Sequence, residues 1–199
     1  MDIGICEHTK ERIKSSDWKH RDIVENAKYT VGLDIDEELV AYIQKQYPNY
    51  NLTVCDATSD TFLGEKFDIV RVGDVIEHVD NPVAMLKFCK RHLKKDGKII
   101  VRTPNGYHFN YYYLANLNGT DNSNMEHVNY TFPTHALEIS RRSDLNLKRY
   151  LTQYKNGFSI KGLKIAVYLL LKLKLRHSIA ELFYKPEKYS TIYVYEFTH

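Results

Sequence analysis

Short apolar runs of strand length alternate with segments of helical periodicity, and this alternation constrains the fold of the chain more than any other feature. Two segments, Asp36–Gln46 and Pro82–Lys94, carry apolar residues at helical spacing. The strands predicted around them are Tyr29–Ile35, Leu52–Cys55, Phe67–Val72 and Lys98–Arg102. Strands that alternate with helices form a mostly parallel sheet with crossover helices on its faces. The pattern therefore predicts an α/β fold.

Two local sequence signals define where one predicted helix and one predicted strand begin. Asn81 precedes Pro82, so a polar capping residue stands directly before a proline at the first helical position. The pair Asp96-Gly97 predicts a turn that leads into the next strand. A helix that starts at Pro82 and a strand that follows Gly97 are therefore expected.

The chain is less regular after residue 104. Asn105–Asn129 lacks periodicity and is rich in Asn, Gly and Tyr. We then predict a short helix over Thr134–Arg142 and strands over Leu145–Leu151 and Thr191–Phe197. The insertion Ile160–Tyr184, rich in Leu and Lys, predicts a helix or a helical hairpin. We expect the 199 residues to form a single domain with a helical insertion at about 160–184.

Charge and cysteine content narrow the cellular context. A formal net charge of +3 is too small to predict a nucleic-acid partner, which needs many basic residues on one face. The three cysteines have no CxxC spacing and predict free thiols in a reducing compartment. Met1–Lys10 lacks the pattern of a signal peptide, and the apolar stretch Ile165–Leu175 is too short to span a bilayer. A cytoplasmic protein is expected.

Polar residues follow two of the predicted strands, where a nucleotide-type cofactor binds to such a sheet. The Asp34 carboxylate can accept hydrogen bonds from both hydroxyls of a ribose, although it can also cap a helix, as can Asp36. The Asp56 carboxylate can accept from an adenine amino group, and the Ala57 amide can meet a ring nitrogen. The alternative for Asp56 is a residue that only forms a turn.

Five short motifs follow one another along the chain. They are Gly32-Leu33-Asp34, Cys55-Asp56-Ala57, Phe67-Asp68-Ile69-Val70, Val75-Ile76-Glu77-His78-Val79 and Thr103-Pro104-Asn105. In this order they resemble the motifs of class I S-adenosylmethionine-dependent methyltransferases, nearest to the type that methylates small molecules such as quinone precursors and sugars. The strongest match is Asp74–Pro82, and the resemblance covers roughly residues 1–150 and the final strand.

This resemblance implies a Rossmann-like, doubly wound sheet with an antiparallel last strand and S-adenosylmethionine as cofactor. The first strand is expected to be truncated or close to the N-terminus. The cofactor-binding residues that it implies are Asp2, Gly4, Asp34, Ile35, Asp56, Ala57 and Gly73. Cys6 and His8 stand where the family usually has glycine. Glycine tolerates positive φ and lets the backbone approach the ligand, so we expect Cys6 to weaken cofactor binding.

Methyl transfer needs a base only for a hydroxyl or amine acceptor, because the sulfonium is already activated. The candidates are His78, His108 and His127, since histidine titrates near neutral pH. We favour His127, which lies in the segment expected to cover the acceptor, and retain His78, whose alternative role is to pack beside the cofactor. The tyrosines Tyr107, Tyr111, Tyr112 and Tyr113 can form a ring-stacking wall or ordinary packing.

No metal site is predicted. The side chains of the adjacent pairs Glu77-His78 and Glu126-His127 are expected to point in different directions, and no third ligand has suitable spacing.

The leading functional hypothesis is methylation of a small-molecule acceptor, with a hydroxyl on a sugar or lipid-linked sugar of a surface polysaccharide preferred. The alternative is a catalytically impaired protein that keeps the fold for binding or regulation, which Cys6 and the short first strand favour. A nucleic-acid methyltransferase ranks last, because no Asn-Pro-Pro-Tyr-type motif is present. For the insertion at 160–184 we expect a homodimer contact first, peripheral membrane contact second and core packing third.

Overall fold

The computed structural model of the protein describes residues 1–108, 111, 124–153 and 191–199. Seven strands lie within these ranges: β1 (Asp2–Ile3), β2 (Val31–Asp34), β3 (Asn51–Val54), β4 (Phe67–Gly73), β5 (Leu93–Pro104), β6 (Asn146–Gln153) and β7 (Ile192–Thr198). The helices in the same ranges are α1 (Lys10–Lys14), α2 (Lys19–Asn26), α3 (Glu37–Gln46), α4 (Pro82–Arg91) and α5 (Pro133–Arg142), together with the 3-10 turn Ile76–His78.

The strands form one sheet in the order β3-β2-β1-β4-β5-β7-β6. The pairs from β3 to β5 are parallel, whereas β7 runs antiparallel to both β5 and β6. Along the chain, β2 and then β3 are added on one side of β1, and β4 follows on the other side of β1. Such a reversal of strand order opens a crevice at the carboxyl ends of the strands. The predicted doubly wound, mostly parallel sheet with an antiparallel last strand is confirmed.

Apolar side chains cover both faces of this sheet. The main core includes Val70 and Val101 from the central strands and Leu86 from α4, none of which is exposed. A second cluster, around Trp18 and Ile5, lies beside the loop that follows β1. The Trp18 indole Nε1 donates a hydrogen bond to the Ile5 carbonyl oxygen at 2.8 Å. This second cluster therefore packs against the loop after β1 and holds it in position.

Helix starts follow the predicted capping signals. The Asn81 side chain accepts a hydrogen bond from the Ala84 amide at 3.0 Å, and Pro82 occupies the first turn of α4. The first strand has two residues, as expected of a short β1.

The region between α4 and β5 differs from the prediction. Helix α4 ends at Arg91 rather than Lys94, and Asp96-Gly97 lies inside β5 rather than in a turn. Phe67 pairs with Leu93 but Ile69 pairs with Lys98, so the additional residues of β5 form an irregularity in the ladder.

Two predicted features lie partly or wholly outside the described residues. The insertion at 160–184 is one of them, and much of the Asn105–Asn129 segment is the other. Among the helices within the described ranges, none combines the length and the apolar character needed to cross a membrane.

Candidate functional site

A cleft of about 1130 Å³ opens at the carboxyl ends of the central parallel strands. Of the predicted cofactor-binding residues and the two favoured histidines, all except Asp2 and His127 line it, namely Gly4, Asp34, Ile35, Asp56, Ala57, Gly73 and His78. The strand ends converge there because β1, β2 and β4 are parallel neighbours. The structure therefore brings most of the site predicted from the sequence into one cavity.

The loop after β1 forms one wall of the cleft. Gly4 has a φ of +83°, and a Cβ atom on it would lie 2.1 Å from the Val75 Cγ2 and 2.9 Å from the Gly73 carbonyl oxygen. Glu7 and His8 also have positive φ, at 48° and 62°, whereas Cys6 does not. Gly4 is therefore the position that requires glycine on both conformational and steric grounds.

Cys6 contributes to the site mainly through its backbone. Its amide donates a hydrogen bond to Asp34 Oδ2 at 2.9 Å, and the residue is buried in the second apolar cluster. Burial and the nearby Asp34 carboxylate raise the pKa of the Cys6 thiol, which is therefore neutral. Because φ at this residue is not positive, the expected backbone penalty for replacing glycine is absent.

Asp34 and Asp36 have different structural roles. Asp36 is the N-cap of α3 and accepts a hydrogen bond from the Leu39 amide at 2.9 Å. Asp34 accepts from the Cys6 amide through Oδ2 and from the Asp36 amide through Oδ1, at 3.2 Å for the latter. A carboxylate has about four acceptor positions. Counting the hydrogen bonds of the described residues, about two acceptor positions of Asp34 thus remain for a ligand in the cleft.

Asp56 forms a turn and still lines the cleft. Its Oδ1 accepts from both the amide and the hydroxyl of Thr58 at 2.7 Å, so this oxygen forms a turn. Beside it, Ile35 is 70% exposed and gives the cleft an apolar surface, while Ala57 is buried. This combination of one polar edge and one apolar face suits a flat heterocycle.

Asp2 lies beneath the cleft rather than in it. It is fully buried, with Oδ2 2.8 Å from His20 Nδ1 and Oδ1 paired with the Arg71 guanidinium. Arg71 itself lines the cleft, so it stands where the sequence predicted Asp2 to contact the cofactor. Sequence reasoning missed Arg71, although a charged residue within an apolar strand indicates a buried partner.

The segment that carries His127 is docked on the 3-10 turn. The Glu77 carbonyl oxygen accepts from the amides of Val128 and Asn129, at 2.9 and 3.2 Å. The Asn129 side-chain amide donates to the carbonyl oxygens of Ile76 and Val79, both at 3.0 Å. These four hydrogen bonds fix the position of His127 relative to the cleft.

His127 consequently lies against His78. Their ring centroids are 4.7 Å apart in an edge-to-face arrangement, and His8 lies 5.7 Å from His78 on its other side. Burial and the neighbouring His8 lower the pKa of His78, while burial and His78 lower the pKa of His127. Both imidazoles are therefore neutral near pH 7, and a neutral imidazole can accept a proton or bind a cation.

Glu77 completes this group. Its side chain is fully buried, Thr103 Oγ1 donates to its Oε2 at 2.9 Å, and burial raises its pKa to about 7. One ligand atom from each of Glu77, His78 and His127 lies within 4.8 Å of the others. This arrangement differs from the expectation that Glu77 and His78 point apart without a third ligand, because hydrogen bonds to the 3-10 turn bring His127 to them.

A row of aromatic rings leads from His127 toward the surface. The Tyr130 ring lies 6.0 Å from His127, Phe132 lies 6.4 Å from Tyr130, and Tyr107 lies 4.1 Å from Phe132. Tyr107 is 59% exposed. His108, the third candidate base, does not line the cleft, and Tyr112 and Tyr113 lie outside the described residues.

Known proteins resemble the central part of the sequence. Residues 16–101 match the family model described as a methyltransferase domain. The ubiquinone biosynthesis O-methyltransferase of Glaesserella parasuis is 31% identical over 83 residues, which cover 37% of this chain and 35% of that protein. A probable S-adenosylmethionine-dependent methyltransferase of Mycolicibacterium smegmatis is 30% identical, over 42% of this chain and 32% of its own length. The match thus spans about a third of the length of these relatives.

Solved structures resemble the whole fold at low sequence identity. An S-adenosylmethionine-dependent methyltransferase from Clostridium acetobutylicum is similar with a TM-score of 0.61 and 12% identity, over 99% of this chain and 82% of that one. A second, from Mesorhizobium loti, has a TM-score of 0.59 at 12% identity, over 100% and 89%. Residues 16–101 therefore match a methyltransferase domain, and the fold of the chain is similar to that of S-adenosylmethionine-dependent methyltransferases, which implies S-adenosylmethionine as the cofactor.

Proposed function

We propose that the chain binds S-adenosylmethionine in the cleft and catalyses methyl transfer to a hydroxyl oxygen of a small molecule. The observation that carries this proposal is the combination of Gly4 and Asp34 at neighbouring strand ends. Gly4 leaves open the space that any side chain would fill, and Asp34 keeps free acceptor positions directed to the same cavity. Both features fit the ribose and the methionine chain of the cofactor, which approach the protein backbone closely.

Each residue of the cleft has a proposed role in cofactor binding. Asp34 accepts from the ribose hydroxyls, while Asp56 Oδ2, which has no hydrogen bond within the described part of the chain, and the Ala57 amide meet the adenine edge. Ile35 packs on the adenine ring, since its side chain is exposed in the cleft. Arg71 lines the cleft and supplies positive charge for a carboxylate. Gly73 leaves room above the Arg71 guanidinium.

The cofactor supplies an activated methyl group, whose transfer to oxygen returns the electron pair of the carbon–sulfur bond to sulfur. The protein must hold the acceptor hydroxyl in line and remove its proton. His127 and His78 are the proposed acceptors of that proton, because both are neutral near pH 7 and His78 lines the cleft.

We further propose a sugar hydroxyl as the acceptor, on a precursor of a surface polysaccharide. The aromatic row from His127 to Tyr107 supports this assignment, because aromatic faces pack against the apolar faces of sugars and of other rings. The three free cysteines support a cytoplasmic location.

The alternative is a protein that keeps the fold for binding or regulation without methyl transfer. Its supports are Cys6 in the glycine loop and the short first strand, which has two residues. The φ of Cys6 removes the conformational part of the first of these. Binding of the cofactor product separates the two functions, because an enzyme of this type must bind S-adenosylhomocysteine.

Isothermal calorimetry with S-adenosylhomocysteine tests the proposal, with two aspartates as a matched pair. Asp34→Ala should weaken binding at least about tenfold, the scale of a lost charge-assisted hydrogen-bonded pair. Asp36→Ala removes a helix cap instead, so it should lower the unfolding free energy by about 1 kcal/mol and leave affinity unchanged. Absence of binding by the wild-type protein would favour the regulatory alternative, and equal affinity in both variants would refute the role of Asp34.

A further inference from the structure

Two polar atoms beside the cleft are buried and lack a hydrogen-bond partner within the described residues. They are Glu77 Oε1 and His127 Nδ1, two of five such atoms in the described residues, and they are the two that belong to one cluster of possible metal ligands. A buried acceptor without a partner destabilises a fold, and native structures rarely keep one without a reason. Two such atoms in one cluster indicate a missing ligand that both can bind.

The surrounding structure holds these side chains in place. Thr103 Oγ1 donates to the other carboxylate oxygen of Glu77 at 2.9 Å, which leaves Oε1 for a further partner. The backbone hydrogen bonds from Val128 and Asn129 to the Glu77 carbonyl oxygen join the segment of His127 to the turn of Glu77. Outer hydrogen bonds of this kind orient the ligands of metal ions in proteins.

We propose that Glu77, His78 and His127 bind one divalent transition-metal ion. Two imidazole nitrogens and one carboxylate oxygen suit ions such as Zn²⁺, Co²⁺ and Mn²⁺ better than Mg²⁺ or Ca²⁺, which prefer oxygen ligands. Zinc–nitrogen and zinc–oxygen bonds are about 2.0–2.2 Å long, so two ligand atoms of a tetrahedral site lie about 3.3–3.6 Å apart. The ligand atoms of this cluster lie within 4.8 Å of one another. The cluster must therefore contract by up to about 1.5 Å on binding, which rotation of the side chains can provide.

Three protein ligands leave coordination positions open for water or for an acceptor oxygen. His78 lines the cleft, so the open positions face the proposed site of methyl transfer. The following step rests on the proposed function. A hydroxyl bound to the cation loses its proton to solvent, its oxygen forms the new bond to the methyl carbon, and the carbon–sulfur bond breaks with its electrons on sulfur. His78 and His127 then act as ligands rather than as proton acceptors.

Metal binding can be measured without any acceptor. The protein is stripped with a chelator, dialysed and titrated with Co²⁺, whose visible absorption reports its ligands, and with Zn²⁺ in a calorimeter. The wild-type protein should bind one ion. Glu77→Gln and His127→Ala should each weaken binding at least a hundredfold, because even the outer partners of ligands contribute about 10–100-fold. Thr103→Val should weaken it about tenfold through the orientation of Glu77.

His135→Ala is the matched control, since His135 is exposed and does not belong to the cluster. It should bind Co²⁺ like the wild type, and circular dichroism should show that all variants are folded. Failure of the wild-type protein to bind Co²⁺ or Zn²⁺, or equal affinity in the folded Glu77→Gln and His127→Ala variants, would overturn the metal site. Calorimetry with S-adenosylhomocysteine on the metal-free protein tests the proposed function separately, because the cofactor contacts proposed for Asp34, Asp56 and Arg71 need no metal ion.

Discussion

Replacement of Gly4 by alanine should damage both the stability of the protein and the cofactor site. The added Cβ would lie 2.1 Å from Val75 Cγ2 and 2.9 Å from the Gly73 carbonyl oxygen. The first contact can be relieved in part by side-chain rotation, but the second involves backbone at the end of β4. Gly73 and Val75 both line the cleft, so movement away from the new methyl group changes the shape of the cavity.

The expected magnitude has two parts. A left-handed backbone disfavours alanine by about 1–2 kcal/mol, and an oversized side chain in a packed site adds about 1–3 kcal/mol. The reduced entropy of the unfolded chain offsets about 0.4–1 kcal/mol. The net loss of unfolding free energy for Gly4→Ala is therefore about 2–4 kcal/mol.

Gly64 provides the control for the conformational part. Its φ is +86°, close to that of Gly4, but no atom of the described residues lies within 4 Å of the position of an added Cβ. Gly64→Ala should therefore lose only about 1 kcal/mol. Urea unfolding measures both losses, and calorimetry should show at least about tenfold weaker binding of S-adenosylhomocysteine for Gly4→Ala alone. Equal losses of stability in the two variants would refute the steric part of this reasoning.

Three further predictions concern other parts of the molecule. Burial lowers the pKa of His92, whose Nε2 accepts a hydrogen bond from the Leu63 amide. The unfolded state therefore binds more protons than the folded state, and the free energy of unfolding falls as the pH drops below about 6.5. His92→Gln should flatten the decline of melting temperature between about pH 7 and pH 5, and an unchanged slope would contradict this assignment. His127→Ala should lower turnover of nucleotide-linked sugars or phenols about a hundredfold and leave S-adenosylhomocysteine affinity unchanged, whereas loss of that affinity would place His127 at the cofactor. Deletion of residues 160–184 should convert a dimer into a monomer in light scattering and retain cofactor binding. If the wild-type protein is monomeric and does not bind anionic vesicles, packing of this segment on the core is the one remaining explanation.

Much of the fold could be predicted because periodicity is a local property. Strands β2 to β4 and helix α3 fall within a few residues of the predicted limits, since alternating apolar segments show their own boundaries. The start of β5 could not be predicted in this way. Leu93 enters the sheet because it pairs with Phe67, and that partner lies 26 residues away on another strand. A Gly-containing pair such as Asp96-Gly97 resembles a turn until its neighbour in the sheet is known.

The site could be predicted only where topology brings residues together. Parallel strands place Gly4, Asp34 and Gly73 at one edge, so their convergence follows from the sheet. The approach of His127 to Glu77 follows from backbone hydrogen bonds between segments that are 50 residues apart, for which the sequence carries no periodic signal. The ion pair of Asp2 with Arg71 is a similar case, because a partner on a neighbouring strand turned the expected ligand away from the cleft.

Glu77 distinguishes an enzyme from a scaffold, that is, a protein that keeps the fold only for binding or regulation, more clearly than the glycine loop does. Cys6 breaks a pattern of residue types, but its backbone does not use the conformation for which glycine is needed. Glu77 is a fully buried carboxylate whose pKa burial raises to about 7, so its ionised form opposes folding. A scaffold would be more stable with apolar residues of similar size in place of both Glu77 and its hydrogen-bond donor Thr103, because replacement of both partners of a buried polar pair is neutral or stabilising. A carboxylate held at a neutral pair of imidazoles beside a cofactor cleft is therefore better explained by chemistry than by packing.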